Sequence, residues 1–193
     1  MVEPDIPSLM NAKVLATVLA LATAATATFG APAPVSIAPD SLEVTVDVKP
    51  NVDAFTAKVA GGELTVTADP ETHTIASAVY TFDWSGVKTG KDKRDREMLD
   101  WAGAKKFPKG TFTLKSLETS GDAHMAKGSL EFHGVTKDIE FPVAIAFKDG
   151  VYTVTGSAAI DHRDWGLKPI RKFLVFSVDP TVTVNFKFQT AAP

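Results

Sequence analysis

Apolar and polar residues alternate with period two through long stretches of this chain, and that pattern restricts its fold more than any other feature. Ile139, Phe141, Val143, Ile145 and Phe147 alternate with Glu140, Pro142, Ala144, Ala146 and Lys148. Val182, Val184, Phe186 and Phe188 alternate with Thr181, Thr183, Asn185 and Lys187. Earlier, Leu42, Val44, Val46 and Val48 alternate with Glu43, Thr45 and Asp47, and Ala78, Tyr80, Phe82 and Trp84 with Val79, Thr81 and Asp83. Further strands are expected over residues 54–60, 63–68, 111–118, 125–133 and 151–160. Between them stand turn residues: Gly61-Gly62, Asp69-Pro70, Gly121-Asp122, Gly134, and Asp149-Gly150 as a two-residue hairpin signal. Neighbouring strands can therefore pair directly. Roughly eight or more short antiparallel strands with almost no helix make an all-β sandwich or a closed up-and-down barrel. The one helical segment is 92–101, with Met98, Leu99 and Trp101 expected to face inward from otherwise charged turns, as in a cap or lid.

The amino-terminal residues do not share this pattern. Residues 14–39 carry no charge, and Lys13 is the only positive residue before Lys49. The run 14–25 is apolar behind a short basic start, and Ala25-Thr26-Ala27 offers small residues where a signal peptidase reads. A transmembrane anchor needs about 20 predominantly apolar residues, whereas this run breaks into Thr, Gly and Pro by 29–34. The expected organisation is a secretory signal over 1–27, a flexible Ala/Pro arm over 28–40 and a barrel domain over 41–190. Met10 is a more ordinary signal start than Met1, because Glu3 and Asp5 spoil a basic leader. The expected location is periplasmic or secreted.

Composition narrows the chemistry. With 193 residues, 45% hydrophobic and 22% charged, the chain can bury one full core, which excludes disorder and collagen. Lys+Arg 20 against Asp+Glu 23, without a basic stripe, argues against nucleic acid as a partner. The absence of cysteine excludes thiol catalysis, Cys-ligated zinc, iron–sulfur clusters, disulfides and a lipid-modified cysteine anchor. The four histidines, His73, His124, His133 and His162, have no metal-ligand spacing, no G-x-S-x-G elbow exists, and no glycine-rich phosphate loop is present. No metal, cofactor or catalytic residue is expected. The charged cluster 91–97 reads mainly as a solvated helix start held by i,i+3 and i,i+4 pairs. The 12 Phe, 3 Trp and 2 Tyr fall mostly on the apolar parity of the strands. For any single Phe a packed core is the plain account. Collectively, a barrel of about eight strands either fills with side chains or holds one small apolar ligand.

Three stretches together resemble the YceI-like family, lipocalin-like periplasmic proteins that bind polyisoprenoids or similar long-chain lipids. The first carries Ser85, Val87, Thr89, Gly90, Arg94, Asp95, Leu99, Phe107, Pro108 and Phe112. The second is a hairpin with Gly128, Leu130, Gly134, Val135, Thr136 and Lys137. The third is a looser match through Asp161, Arg163, Asp164, Trp165, Gly166 and Leu167. The sequence departs from the family pattern at Trp101-Ala102-Gly103-Ala104, where an aromatic-rich run is usual, and around 55–62.

The resemblance implies a lipocalin-like antiparallel up-and-down β-barrel with a hydrophobic channel and one or two short helices at its open end. The function it implies is that of an exported, non-enzymatic protein that sequesters or carries a polyisoprenoid, quinone or other long-chain amphiphile. Strand parity nominates Phe55, Tyr80, Phe82, Trp84, Phe112, Leu114, Leu130, Phe132, Phe141, Val143 and Ile145 as channel lining, with Leu99 and Trp101 near the mouth. Arg94 and Asp95 are expected to join Asp161, Arg163 and Asp164 in a charged network pinning the lid to the rim. The expected partner is a long-chain isoprenoid or related lipid; a homodimer and a transient contact with a membrane or membrane protein stay open. Two rivals remain: an enzyme acting on a bound isoprenoid or quinone through His133, His162 or the rim, and a stress-response module with a solid core.

Overall fold

The computed structural model describes residues 31–38, 40–69, 74–121, 123–172 and 175–191. The expected signal over 1–27 lies outside them. The strands are β1 (Ala33–Val35), β2 (Glu43–Val48), β3 (Phe55–Val59), β4 (Glu63–Ala68), β5 (Ile75–Asp83), β6 (Val87–Lys88), β7 (Lys109–Ser120), β8 (Ala123–Phe132), β9 (Val135–Lys148), β10 (Val151–Asp161), β11 (Arg171–Lys172), β12 (Phe176–Ser177) and β13 (Thr181–Ala191). The helix α1 (Asp92–Trp101) has the bounds expected from sequence, and so does β4.

Eleven strands form one antiparallel sheet in the order β1-β4-β5-β7-β8-β9-β10-β13-β2-β3-β6. Its long hairpins follow from their turns. Asp149 (φ 54°) and Gly150 (φ 79°) both take positive φ, as a two-residue turn matched to strand twist requires. The sheet curls around a single interior, so that side chains from β4, β8, β9, β10 and β13 meet in one core cluster. Among the described residues no strand pairing closes the curl: β6 occupies the free edge of β3 through Lys58↔Lys88 and Val59↔Val87, and β1 occupies that of β4 through Val35↔Val66. A seam is left between β3 and β4.

Within the segment expected to be a flexible arm, Ala33–Val35 form strand β1. After β1 pairs with β4, Ile37 bridges to Thr190 and the Ala38 amide donates to the Gln189 carbonyl at 2.8 Å. Val35 and Ile37 pack on the core between the outward Pro34 and Ser36. This is a short period-two run that the surrounding Ala/Pro composition hides. It ties β4 to β13 across the end of the barrel opposite α1.

Two further features shape the interior. The β7–β8 ladder slips between Leu114 and Ser116, so Lys115 bulges and the inward parity passes from Phe112 and Leu114 to Leu117. Glycines also stand where neighbouring rings cross the sheet. A Cβ on Gly110 would lie 2.4 Å from the Phe82 ring, one on Gly128 2.5 Å from Phe112, and one on Gly156 2.3 Å from Phe186. Phe82 and Phe186 are the direct cross-strand partners of Gly110 and Gly156.

Candidate ligand-binding site

The inward faces leave a cavity of about 830 Å³. That is toward the upper end of the roughly 300–1,000 Å³ typical of small-molecule sites. Its wall is overwhelmingly apolar; the charged or polar side chains on it are Thr89, Arg94, Glu97, His162 and Arg171, with the polar ends of Tyr80, Trp84 and Trp101.

Of the residues nominated from parity, Phe55 on β3, Tyr80 and Phe82 on β5 and Trp84 just after it all line the cavity. Phe112 and Leu114 on β7, Leu130 and Phe132 on β8, and Phe141 and Val143 on β9 do so as well. The aromatic members touch in two groups: Phe82 meets Trp84 at 5.5 Å between centroids and Trp84 meets Phe132 at 6.1 Å, while Phe112 meets Phe141 at 5.4 Å.

Two nominations are corrected. Ile145 keeps the inward parity but packs on the core cluster beside the cavity and not on its wall. Leu99 faces a separate shallow depression beside Asp83, Arg96 and Pro108. On α1 the cavity-facing residues are Arg94, Glu97, Met98 and Trp101, whose i, i+3, i+4 and i+7 spacing forms one stripe; Leu99, one residue beyond Met98, is turned about 100° away from it.

Sequence reasoning also left out part of the wall. Residues 42–48 of the β2 segment, Val154, Ala158 and Ile160 on β10, and Val182 to Phe188 on β13 carry the same alternation and were legible as inward, though not nominated. Pro169, Ile170 and Val178 flank the two-residue strands β11 and β12, and Phe176 lies on β12; these elements are too short to show a period.

The mouth is built by α1 and the loop after β10. Trp101 donates its indole Nε1–H to the Lys168 carbonyl at 2.8 Å and stands edge-on to the His162 ring at 4.9 Å. Behind it, Trp165 is buried, stacks on Phe132 at 4.7 Å and donates to the Leu130 carbonyl at 3.0 Å. His133 donates from Nδ1 to the Trp165 carbonyl at 2.9 Å. Gly166, at φ 77°, ends the 3-10 turn His162–Trp165.

The charged network expected across this rim does not form. Asp95 accepts from the Thr89 amide at 2.8 Å and from the Thr89 hydroxyl, while Arg94 donates to the Thr89 carbonyl and lies 3.5 Å over the Phe55 ring. Separately, Asp161 accepts from the Arg163 amide at 3.0 Å and its guanidinium at 2.5 Å. Among the described residues no hydrogen bond or ion pair links the two groups, and Asp164 joins neither by such a bond. Each aspartate serves its own turn: Asp95 ties α1 to the strand before it, and Asp161 caps the 3-10 turn. The Thr89 hydrogen bonds hold the Asp95 carboxyl below the usual aspartate range, and the Arg163 hydrogen bonds bring Asp161 down to about 2. Burial acts the other way on groups in the wall, pushing Tyr80 up to about 12 and holding His162 below the ordinary histidine value.

With this geometry in place, comparison with known proteins decides the family: a model of the YceI-like domain matches residues 35–190. The chain belongs to the YceI-like family. BcnA of Burkholderia cenocepacia superimposes with a TM-score of 0.67 at 19% identity, over 77% of this chain and 95% of that one. A polyisoprenoid binding domain from Saccharophagus degradans gives 0.61 at 17% identity, over 84% and 100%. The YceI protein of Campylobacter jejuni gives 0.62 at 20% identity, over 74% and 88%. No curated protein matches at a significant level. At these identities the structural likenesses show a shared YceI-like barrel. The match begins at Val35, inside β1, so Val35 and Ile37 of the supposed arm fall within the YceI-like domain.

Proposed function

We propose that this YceI-like protein carries a long-chain amphiphile of the polyisoprenoid class, held in the barrel and shielded from water in a compartment outside the cytoplasm. The observation that carries this reading is the apolar cavity of about 830 Å³, which a solid-core module would lack. The structural likeness to a polyisoprenoid binding domain supports it. Burial is the driving force. Each CH₂ leaving water contributes about 0.8 kcal/mol. Micromolar affinity needs about 8 kcal/mol net, and association itself costs about 4–15 kcal/mol. A tail of about twenty carbons contributes about 16 kcal/mol, which reaches micromolar affinity without any ionic contact where association costs no more than about 8 kcal/mol. The role is binding, not catalysis.

Uptake and release of such a tail call for a brief contact with a membrane or a membrane protein. The exposed Val52 and Val175 suit that contact. They sit on loops clasped by Asn51, which donates to the Val175 carbonyl at 2.6 Å and accepts from the Ser177 amide at 3.1 Å, next to the cavity-lining Phe176.

The test is to purify the exported protein, extract it with organic solvent and identify co-purifying molecules by mass spectrometry. A stoichiometric long-chain lipid, recovered unaltered after prolonged incubation, is the expected result. Protein that neither yields nor takes up any such lipid overturns the carrier reading, and a chemically converted lipid replaces it with an enzyme.

A further inference from the structure

Buried polar groups in folded proteins nearly always have a hydrogen-bond partner. Here the described side-chain atoms that break this rule are Tyr80 Oη, Trp84 Nε1, Arg94 Nε and both ring nitrogens of His162, and all four residues line the apolar cavity. His162 is only 4% exposed, and the backbone near its ring is that of Leu167, too poorly aligned to satisfy either ring nitrogen fully. Three of the four residues sit at the same end. Trp84 follows the carboxyl end of β5, His162 follows that of β10, and Arg94 projects from α1, which lies at that mouth. Tyr80 is four residues deeper, about 13 Å along β5, with its hydroxyl against Gly62.

Donor chemistry dominates the set. An indole N–H and a guanidinium Nε–H can only donate, and a neutral imidazole offers one donor and one acceptor. An ammonium head would leave Trp84 and Arg94 unmatched and set a cation beside a cation. We propose that the ligand lies tail-first, with an oxygen-bearing, hydrogen-bond-accepting head at the α1 end, where Trp84 Nε1, Arg94 Nε and His162 receive it. The head carries a carbonyl or a phosphoryl oxygen. This rests on the carrier reading and adds ligand direction and head chemistry to it.

The test uses three probes with one twenty-carbon geranylgeranyl chain: a benzoquinone bearing it, its monophosphate, and the hydrocarbon without a head. Affinities are measured by calorimetry on the delipidated full domain. The two headed probes are expected to bind at least tenfold more tightly than the hydrocarbon, the tighter of the two naming the source of the oxygen. Trp84→Phe keeps an aromatic ring and removes the donor. It is expected to weaken the headed probes roughly three- to tenfold more than it weakens the hydrocarbon, and to leave the ligand-free melting temperature equal or higher, because it deletes a donor that has no partner. His162→Phe should act in the same direction. Equal affinity for the hydrocarbon overturns the proposal, as does a Trp84→Phe loss shared equally by all three probes. Failure of every probe to bind overturns the carrier reading itself.

Discussion

Trp101 stands edge-on to His162, ring centroids 4.9 Å apart and planes at 86°, while its indole nitrogen donates to the Lys168 carbonyl at 2.8 Å. One side chain thus joins α1 both to the 3-10 turn after β10 and to the loop beyond it, across the mouth of the cavity. Trp101→Phe keeps the ring and deletes the hydrogen bond, at a cost of about 1 kcal/mol. Ligand dissociation should accelerate several-fold with only a small fall in melting temperature. An unchanged dissociation rate in stopped-flow measurements would remove Trp101 from the role of latch.

His162 makes stability depend on pH. Burial holds its pKa below 6.5 in the folded chain, so the unfolded chain binds more protons as pH falls below that value. Stability is therefore full at neutral pH and declines as pH drops through 6.5 toward the folded pKa. His162→Gln should flatten the difference between chemical denaturation at pH 7.5 and at pH 5.5. Asp161 acts in a lower window: with its folded pKa at about 2 against 3.8, its contribution is present above 3.8 and fades between the two values. Asp161→Asn should leave the pH 7.5 to 5.5 difference untouched.

Separation of the two rim aspartates predicts additivity. Asp95→Ala removes two hydrogen bonds from Thr89 and should destabilise by about 1–3 kcal/mol. Asp161→Ala removes the cap of the 3-10 turn. In a double-mutant cycle the coupling energy should fall within about 0.5 kcal/mol of zero. A coupling of 1 kcal/mol or more would restore the single charged network that the sequence suggests.

Filling the cavity should separate binding from folding. Ala78 faces the cavity from β5 and is only half-buried, so Ala78→Phe enters space that is already present. Overpacking a dense core costs about 1–3 kcal/mol; here the melting temperature should stay within a few degrees while lipid uptake drops tenfold or more. Normal uptake by a folded Ala78→Phe protein would place the ligand elsewhere.

The pairing of neighbours was legible in the sequence because the long strands other than the bulged β7 keep a period of two and end in Gly or Asp turn chemistry. Tyr80, Phe82, Phe141 and Val143 therefore fell on the correct face from parity alone. The misplaced features share a cause: local pattern too short to fix a phase. Only three apolar residues mark α1, and the stripe that faces the cavity includes charged Arg94 and Glu97, so Leu99 and Met98 could not be ranked by hydrophobicity. The bulge at Lys115 inverts parity without any glycine or proline to announce it. Val35 and Ile37 give just two inward positions among alanines and prolines. As for the rim, opposite charges close in sequence were available for a long-range network, but backbone amides and the Thr89 hydroxyl offered each aspartate nearer partners. His162, read as one of four scattered histidines, gained its significance only from burial.

The glycines beneath Phe82, Phe112 and Phe186 place the calibre of the barrel under the control of residues that never touch its contents. Because no methyl group stands under them, these rings recline against the wall; a Cβ there would tip them toward the axis and take up room a chain would use. Capacity in such a vessel is then written in missing side chains, and two barrels with identical linings would accept cargo of different girth if they differed only at these three positions.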